Sequence, residues 1–236
     1  MRSCRLALLC CISLLLIKPA FGFCPQPHWS VACDFLNSDA VFTGRVISVR
    51  SVEWETDGAT NDFDYHLTVL RLFRGPHKKI MEVYTANDSG RYPLDLGKEY
   101  LIFASINGNR LEIFNCDDST PLSKAQDTIR QIEGIAIPKD AIVEGFIALH
   151  QIPSDQGLAG VQVVIREGRK TYTVTTDNEG WFRIQVPPGA YSAEVKPPPG
   201  HSVVDYDLSY DGPDRFAVKA GHCAGLQFVA DTANKY

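Results

Sequence analysis

The chain carries few groups able to do chemistry, and the densest collection is acidic and aromatic. Asp205, Tyr206, Asp207, Tyr210, Asp211 and Asp214 fall within one short loop. Exposed tyrosines beside carboxylates can stack on a sugar ring and accept its hydroxyls. Tyr206, Asp207, Tyr210 and Asp211 are therefore the candidate ligand surface; the competing reading is a solvated connection with a tyrosine packed down. Asp177, Asn178 and Glu179 offer oxygens for a calcium ion, but the twelve-residue loop pattern of a calcium hand is absent, and ordinary turn chemistry accounts for them. Arg74, His77, Lys78 and Lys79 make a basic turn of a kind that can track a nucleic-acid backbone. The six histidines are scattered, and His222 beside Cys223 has no zinc-like spacing. No Gly-x-Ser-x-Gly, no His-Glu-x-x-His and no Gly-rich phosphate loop is present. No catalytic residue, cofactor-binding residue or metal ligand is assigned, and no cofactor is expected.

The first 22 residues read as an export signal. Arg2 and Arg5 precede an apolar run over 6–17, and Ala20 and Gly22 stand at the −3 and −1 places before a cut at Phe23. That run is shorter than the roughly 20 residues of a membrane span, so no stable membrane anchor is expected after cleavage. A mature start at Cys24 is the other possibility. The signal holds three of the 23 Lys and Arg and none of the 28 Asp and Glu, leaving 20 against 28, a net charge of −8. That charge disfavours nucleic acid and anionic membrane as partners. Cys24, Cys33, Cys116 and Cys223 remain. In an exported chain they permit disulfides, and spacing allows three pairings. Asn87-Asp88-Ser89 is an N-glycan acceptor in a eukaryotic source only.

The elements around these residues are mostly strands. Residues 29–36 can form one or two helical turns. In the β-rich run over 40–50, Val41, Thr43, Arg45, Ile47 and Val49 share one side, while Phe42, Gly44 and Val46 share the other. Gly44 inside a strand predicts a bend or bulge. Further strands are predicted over 63–73, 79–85, 98–104 and 110–114. After Cys116 the period changes: Thr120 is the predicted helix cap with Pro121 at the first position. Leu122, Ala125, Ile129 and Ile132 then fall on one face, and Gly134 stops the helix. Residues 135–142 read as a short connector. Beyond it, strands are predicted at 144–149, 190–196, 215–219 and 226–229. Three more come from 160–186, where Val161, Val163 and Ile165 alternate with Gln162 and Arg166 and Asp177-Asn178-Glu179-Gly180 supplies a turn.

Two family resemblances rest on these residues. Cys24-Pro25, Ser38-Asp39-Ala40-Val41-Phe42-Thr43-Gly44-Arg45-Val46, Leu72-Phe73-Arg74-Gly75, Gly97-Lys98-Glu99-Tyr100-Leu101-Ile102-Phe103-Ala104 and Asn115-Cys116 resemble the netrin-like module, the OB-type barrel of tissue inhibitors of metalloproteinases. In those inhibitors a Cys-x-Cys opens the mature chain, and the first cysteine's α-amine and carbonyl chelate the protease zinc. Here Gly22 stands two before Cys24, and Ser89 stands where the partner cysteine of that first one would fall. Both halves of one bridge are absent together. The resemblance then implies a Cys24–Cys116 pair, closing a loop worth up to roughly 4–5 kcal/mol in the chain-entropy model, and leaves Cys33 for Cys223 or unpaired. In the second half, Gly145, Leu158-Ala159-Gly160-Val161-Gln162-Val163, Thr175-Thr176-Asp177-Asn178-Glu179-Gly180-Trp181-Phe182 and Pro187-Pro188-Gly189-Ala190-Tyr191 resemble the carboxypeptidase regulatory-like domain. That domain is a transthyretin-like sandwich of the carbohydrate-binding-like group.

The expected protein is mainly β. A signal over 1–22 precedes a five-stranded OB-type barrel with flanking helices over 23–134, a linker over 135–142, a seven-stranded transthyretin-like β-sandwich over 143–230, and a tail over 231–236. The expected function is non-catalytic binding, outside the cytoplasm in a secreted or periplasmic setting, of an unidentified protein or glycan. Recognition is assigned to the barrel and support to the sandwich. The alternatives are carbohydrate binding by the sandwich and metalloprotease inhibition by the barrel's edge and N-terminus.

Overall fold

Long alternating runs in the first half fold into a ring of strands. The computed structural model describes residues 28–53, 61–149, 156–197, 199–204 and 215–232. Residues 1–27, Cys24 among them, and residues 205–214 lie outside the described residues. β1 (Ala40–Glu53) pairs antiparallel with β2 (Asn61–Arg74), which pairs with β3 (Ile80–Thr85). β4 (Glu99–Asn107) pairs with β1 and with β5 (Arg110–Glu112), and β5 meets β3 through Tyr84 and Glu112. The pairings thus run around five strands and return to β1. Ala40, Phe42 and Val46 point inward, with Tyr65, Leu67, Met81, Val83 and Ile102. Val41 points outward, as the alternation predicts. The register of β1 against β2 slips at Thr43/Gly44. A side chain at Gly44 would crowd Phe42 and Leu67, so this close approach is what the glycine provides.

The expected cap at Thr120 is corrected. Thr120–Pro121 form β6, paired with Tyr100 and Leu101 on the outer edge of β4. A 3-10 turn follows, and α2 (Gln126–Glu133) begins after Ala125. The free edge of β4 offers backbone partners that a helix cap would forgo, and Pro121 sits at ψ 134°, an extended value. Gly134 ends the helix as expected.

The second half forms two sheets. β7 (Ala141–Leu149) lies between β11 (Trp181–Val186) and β15 (Cys223–Thr232), with β13 (His201–Val204) beyond β15 and β8 (Gln156–Gly157) paired to β7. β10 (Lys170–Thr175), β9 (Gln162–Glu167), β12 (Gly189–Lys196) and β14 (Phe216–Val218) form the other sheet. The seven expected strands are all present among the described residues, and β8 and β13 are additions. Val143, Ile147, Val163, Ile165, Phe182, Tyr191 and Phe228 fill the space between the sheets.

A third apolar cluster joins the halves. It contains Phe35 and Leu36 of α1 (Val31–Asn37), Val41, Leu101 and Phe103 from the outer face of the ring, Ala125 and Ile132 of the α2 region, and Ile142 and Cys223 of the second half. The stripe of Leu122, Ala125, Ile129 and Ile132 therefore packs on the ring, as its period predicts, and also reaches the sandwich.

Candidate functional site

The cysteines locate two regions of interest. Cys33 and Cys223 are joined, Cα to Cα 5.2 Å across 190 residues of sequence. This takes the first of the two options left open for Cys33, pairing with Cys223, and pins α1 to the start of β15. Cys116 is disulfide-bonded; its expected partner, Cys24, lies outside the described residues. So do Tyr206, Asp207, Tyr210 and Asp211.

The first region is the edge of the ring where the 86–92 loop meets the 113–119 segment. Gly90 N–H donates to Asp88 Oδ1 at 2.8 Å, an Asx turn. Asn115 N–H donates to Gly90 O at 2.9 Å, and Asn115 Nδ2 donates to Ser89 O at 3.1 Å. At the position where the resemblance placed a missing cysteine, Ser89 is tied to Asn115 through its backbone carbonyl. Phe114 lies against Gly90 so closely that a Cβ there would sit 1.6 Å from the ring. Phe114 as a residue is nonetheless 42% exposed, an apolar surface at this edge.

Three carboxyl groups lie behind the edge. Asp117 accepts from Phe114 N–H at 3.0 Å and Ser119 N–H at 2.8 Å, which fixes the turn after β5. Burial still pushes its pKa up to about 6. Asp34, in the first turn of α1, faces Asp118, and Asp34 Oδ2 and Asp118 Oδ2 are buried without hydrogen-bond partners. Burial, then the Asp118 and Asp117 charges, push Asp34 up to about 8, and burial raises Asp118 also. At neutral pH the edge is thus backed by a protonated carboxyl, that of Asp34. Asp117 and Asp118 follow Cys116 directly, but the sequence could not reveal that Asp34 meets them.

The second region is the seam between the halves. Ser30 caps α1 by accepting from Cys33 N–H. Ser30 also donates from N–H to Glu144 Oε1 at 2.8 Å and from its hydroxyl to Glu144 Oε2 at 2.7 Å. Glu144, 4% exposed on β7, stands 3.5 Å from Arg183 of β11. Trp29 lies edge-on to Trp181 at 6.0 Å between centroids and against Gly225, where a Cβ would approach its ring to 2.7 Å. Sequence reasoning missed this set because its members are far apart in the chain. The available signal was a lone glutamate in the apolar run of β7.

Other candidates take structural roles. Asp177 Oδ1 accepts from Glu179 N–H and Trp181 N–H, so that carboxylate closes its own turn, with Gly180 at φ +87°. Arg74 lies over the Phe35 ring at 5.8 Å. Among the described residues no group of three or more His, Cys, Asp or Glu is placed to hold a metal ion. Also among them, no helix is long and apolar enough to cross a membrane.

No family model matches the chain. It is 34% identical over 136 residues to metalloproteinase inhibitor 2 of dog, covering 54% of this chain and 61% of that protein. Against the human protein it is 33% identical over 129 residues, covering 51% and 58%. The aligned part thus spans about three-fifths of these relatives. These matches support a netrin-like, inhibitor-related domain in the chain. Among solved structures it is similar to a minor pilin of Streptococcus agalactiae, at 11% identity and a TM-score of 0.35, covering 84% of this chain and 85% of that one. It is also similar to the TIE protein of Bacillus anthracis, at 13% and 0.32, covering 83% and 35%.

Proposed function

We propose that the protein is a non-catalytic, exported binding protein whose OB-type barrel docks a partner protein, with the transthyretin-like sandwich as its support. The docking surface is the edge formed by 86–92 and 113–119, with exposed Phe114 on it. The partner class is a zinc metalloproteinase. The observation that carries this reading is the one-third identity to metalloproteinase inhibitor 2 over 129–136 residues, in a chain whose inhibitor-like motifs lie in the first half.

Docking and inhibition are separable. The resemblance lacks a Cys-x-Cys start and the cysteine at Ser89, so zinc chelation by the N-terminus does not carry over. A rigid edge can still recognise a protein surface through a buried aromatic anchor and fixed backbone groups. The test is binding of the exported chain to a panel of metalloproteinase catalytic domains, with peptide hydrolysis followed in parallel. At least one member should bind, and Phe114→Ala should weaken it about tenfold or more. Absence of binding across the panel at micromolar concentration overturns the reading.

A further inference from the structure

Among the clefts of the described residues that the docking edge does not use, one lies at the seam. It measures about 540 Å³, within the roughly 300–1,000 Å³ of small-molecule sites. His28 and Ser30 line it from the first half, and Glu144, Asp177, Trp181 and Arg183 from the second. Neither half forms it alone.

Trp181 supplies a wall with a fixed orientation. Phe146 packs against it at 5.0 Å between centroids, and Trp29 meets it edge-on at 6.0 Å. The ring is half-buried. Groups of both hydrogen-bonding senses surround it. Arg183 is exposed, and its guanidinium touches Glu144 and Ser30 only at 3.5 Å. Asp177 uses Oδ1 on its own turn, which leaves Oδ2 as an acceptor. The cleft is held open by fixed contacts: the Cys33–Cys223 bridge, the Ser30–Glu144 hydrogen bonds and the Trp29–Gly225 contact.

The chemistry narrows the ligand. Two carboxylates against one guanidinium give no excess of positive charge, which disfavours phosphate and sulfate esters. Charged groups at this density exclude a lipid chain, because burying them unpaired is costly. A flat indole with donors and acceptors around its rim matches a ring with one C–H face and equatorial hydroxyls. We propose that the seam cleft binds a neutral pyranose, as a mono- or disaccharide, stacked on Trp181 with its hydroxyls on Asp177 and Arg183. This places sugar recognition away from the 205–214 loop to which sequence reasoning assigned it. It does not depend on the docking edge.

The test titrates the full chain with glucose, galactose, mannose, N-acetylglucosamine and cellobiose, read by calorimetry and by ligand-observed NMR. One of these should bind saturably with a Kd of about 10 mM or tighter. Thr175, exposed on β10 at the cleft wall, gives a blocking variant that leaves the core intact. Thr175→Trp should lower the affinity at least about tenfold by filling the cleft, Trp181→Ala should do the same, and Trp181→Phe should retain most of it. Circular dichroism confirms that each variant folds. No binding by any of the five sugars overturns the proposal, as does binding that Thr175→Trp leaves unchanged. Neither result bears on metalloproteinase docking.

Discussion

Asp34→Asn should make the protein's stability less dependent on pH. The Asp34 carboxyl sits between α1 and the 113–119 segment, and burial with the neighbouring Asp118 and Asp117 charges pushes its pKa up to about 8. Burial pushes Asp117 up to about 6. In the unfolded chain both titrate near 3.9. Groups raised in this way hold their protons more tightly when folded. Their contribution is complete below about pH 4 and is lost as pH rises through about 6 and then 8. A tenfold gain in proton affinity is worth about 1.4 kcal/mol, so a rise from about 3.9 to about 8 sets a ceiling of roughly 6 kcal/mol for Asp34. Partial solvent access reduces the expected loss to about 2–3 kcal/mol. Asparagine is the neutral isostere of the protonated acid, so the variant should match the native protein only below about pH 4, where the acid is protonated in both states. Near pH 9 it should be the more stable by about 2–3 kcal/mol. Urea unfolding followed by tryptophan fluorescence measures both. Two stability curves that fall in parallel from pH 5 to 9 would refute the assignment of Asp34 as a buried, proton-holding acid.

Four further substitutions examine the seam and the edge. Glu144→Ala leaves Ser30 N–H and Arg183 without their partner and should cost about 2–4 kcal/mol in urea unfolding. Gly225→Ala drives a methyl into the Trp29 ring; a loss of about 1–3 kcal/mol is expected, with a red shift of the tryptophan emission. Cys223→Ser opens the 190-residue loop and should lower stability by up to about 5 kcal/mol in urea unfolding. Gly90→Ala cannot coexist with the present position of Phe114, so partner affinity should fall while circular dichroism stays unchanged.

Sequence pattern carried the strands well because each alternating run has one buried face. Val163 and Ile165 go to the core while Gln162 and Arg166 stay exposed, as the period-two rule requires. The slip at Gly44 was also legible, since a strand glycine has few other uses. Thr120-Pro121 misled because the cap pattern is local, while the unpaired edge of β4 that captured it is a tertiary feature. The seam was invisible for a related reason. Ser30 and Glu144 are 114 residues apart, and each reads locally as something ordinary, a helix cap and a strand residue. The Asp34–Asp118 approach is of the same kind. The connector over 135–142 looked apolar enough to bring the halves into contact. Ile142 does lie in the cluster that joins them.

Hydrogen exchange of the protein, free and bound to a metalloproteinase catalytic domain, tests the central claim most directly. The account predicts added protection confined to 86–92 and 113–119, with the sandwich strands unchanged. Protection on the sandwich with none at that edge, or no change anywhere under conditions where the two proteins are bound, would contradict it.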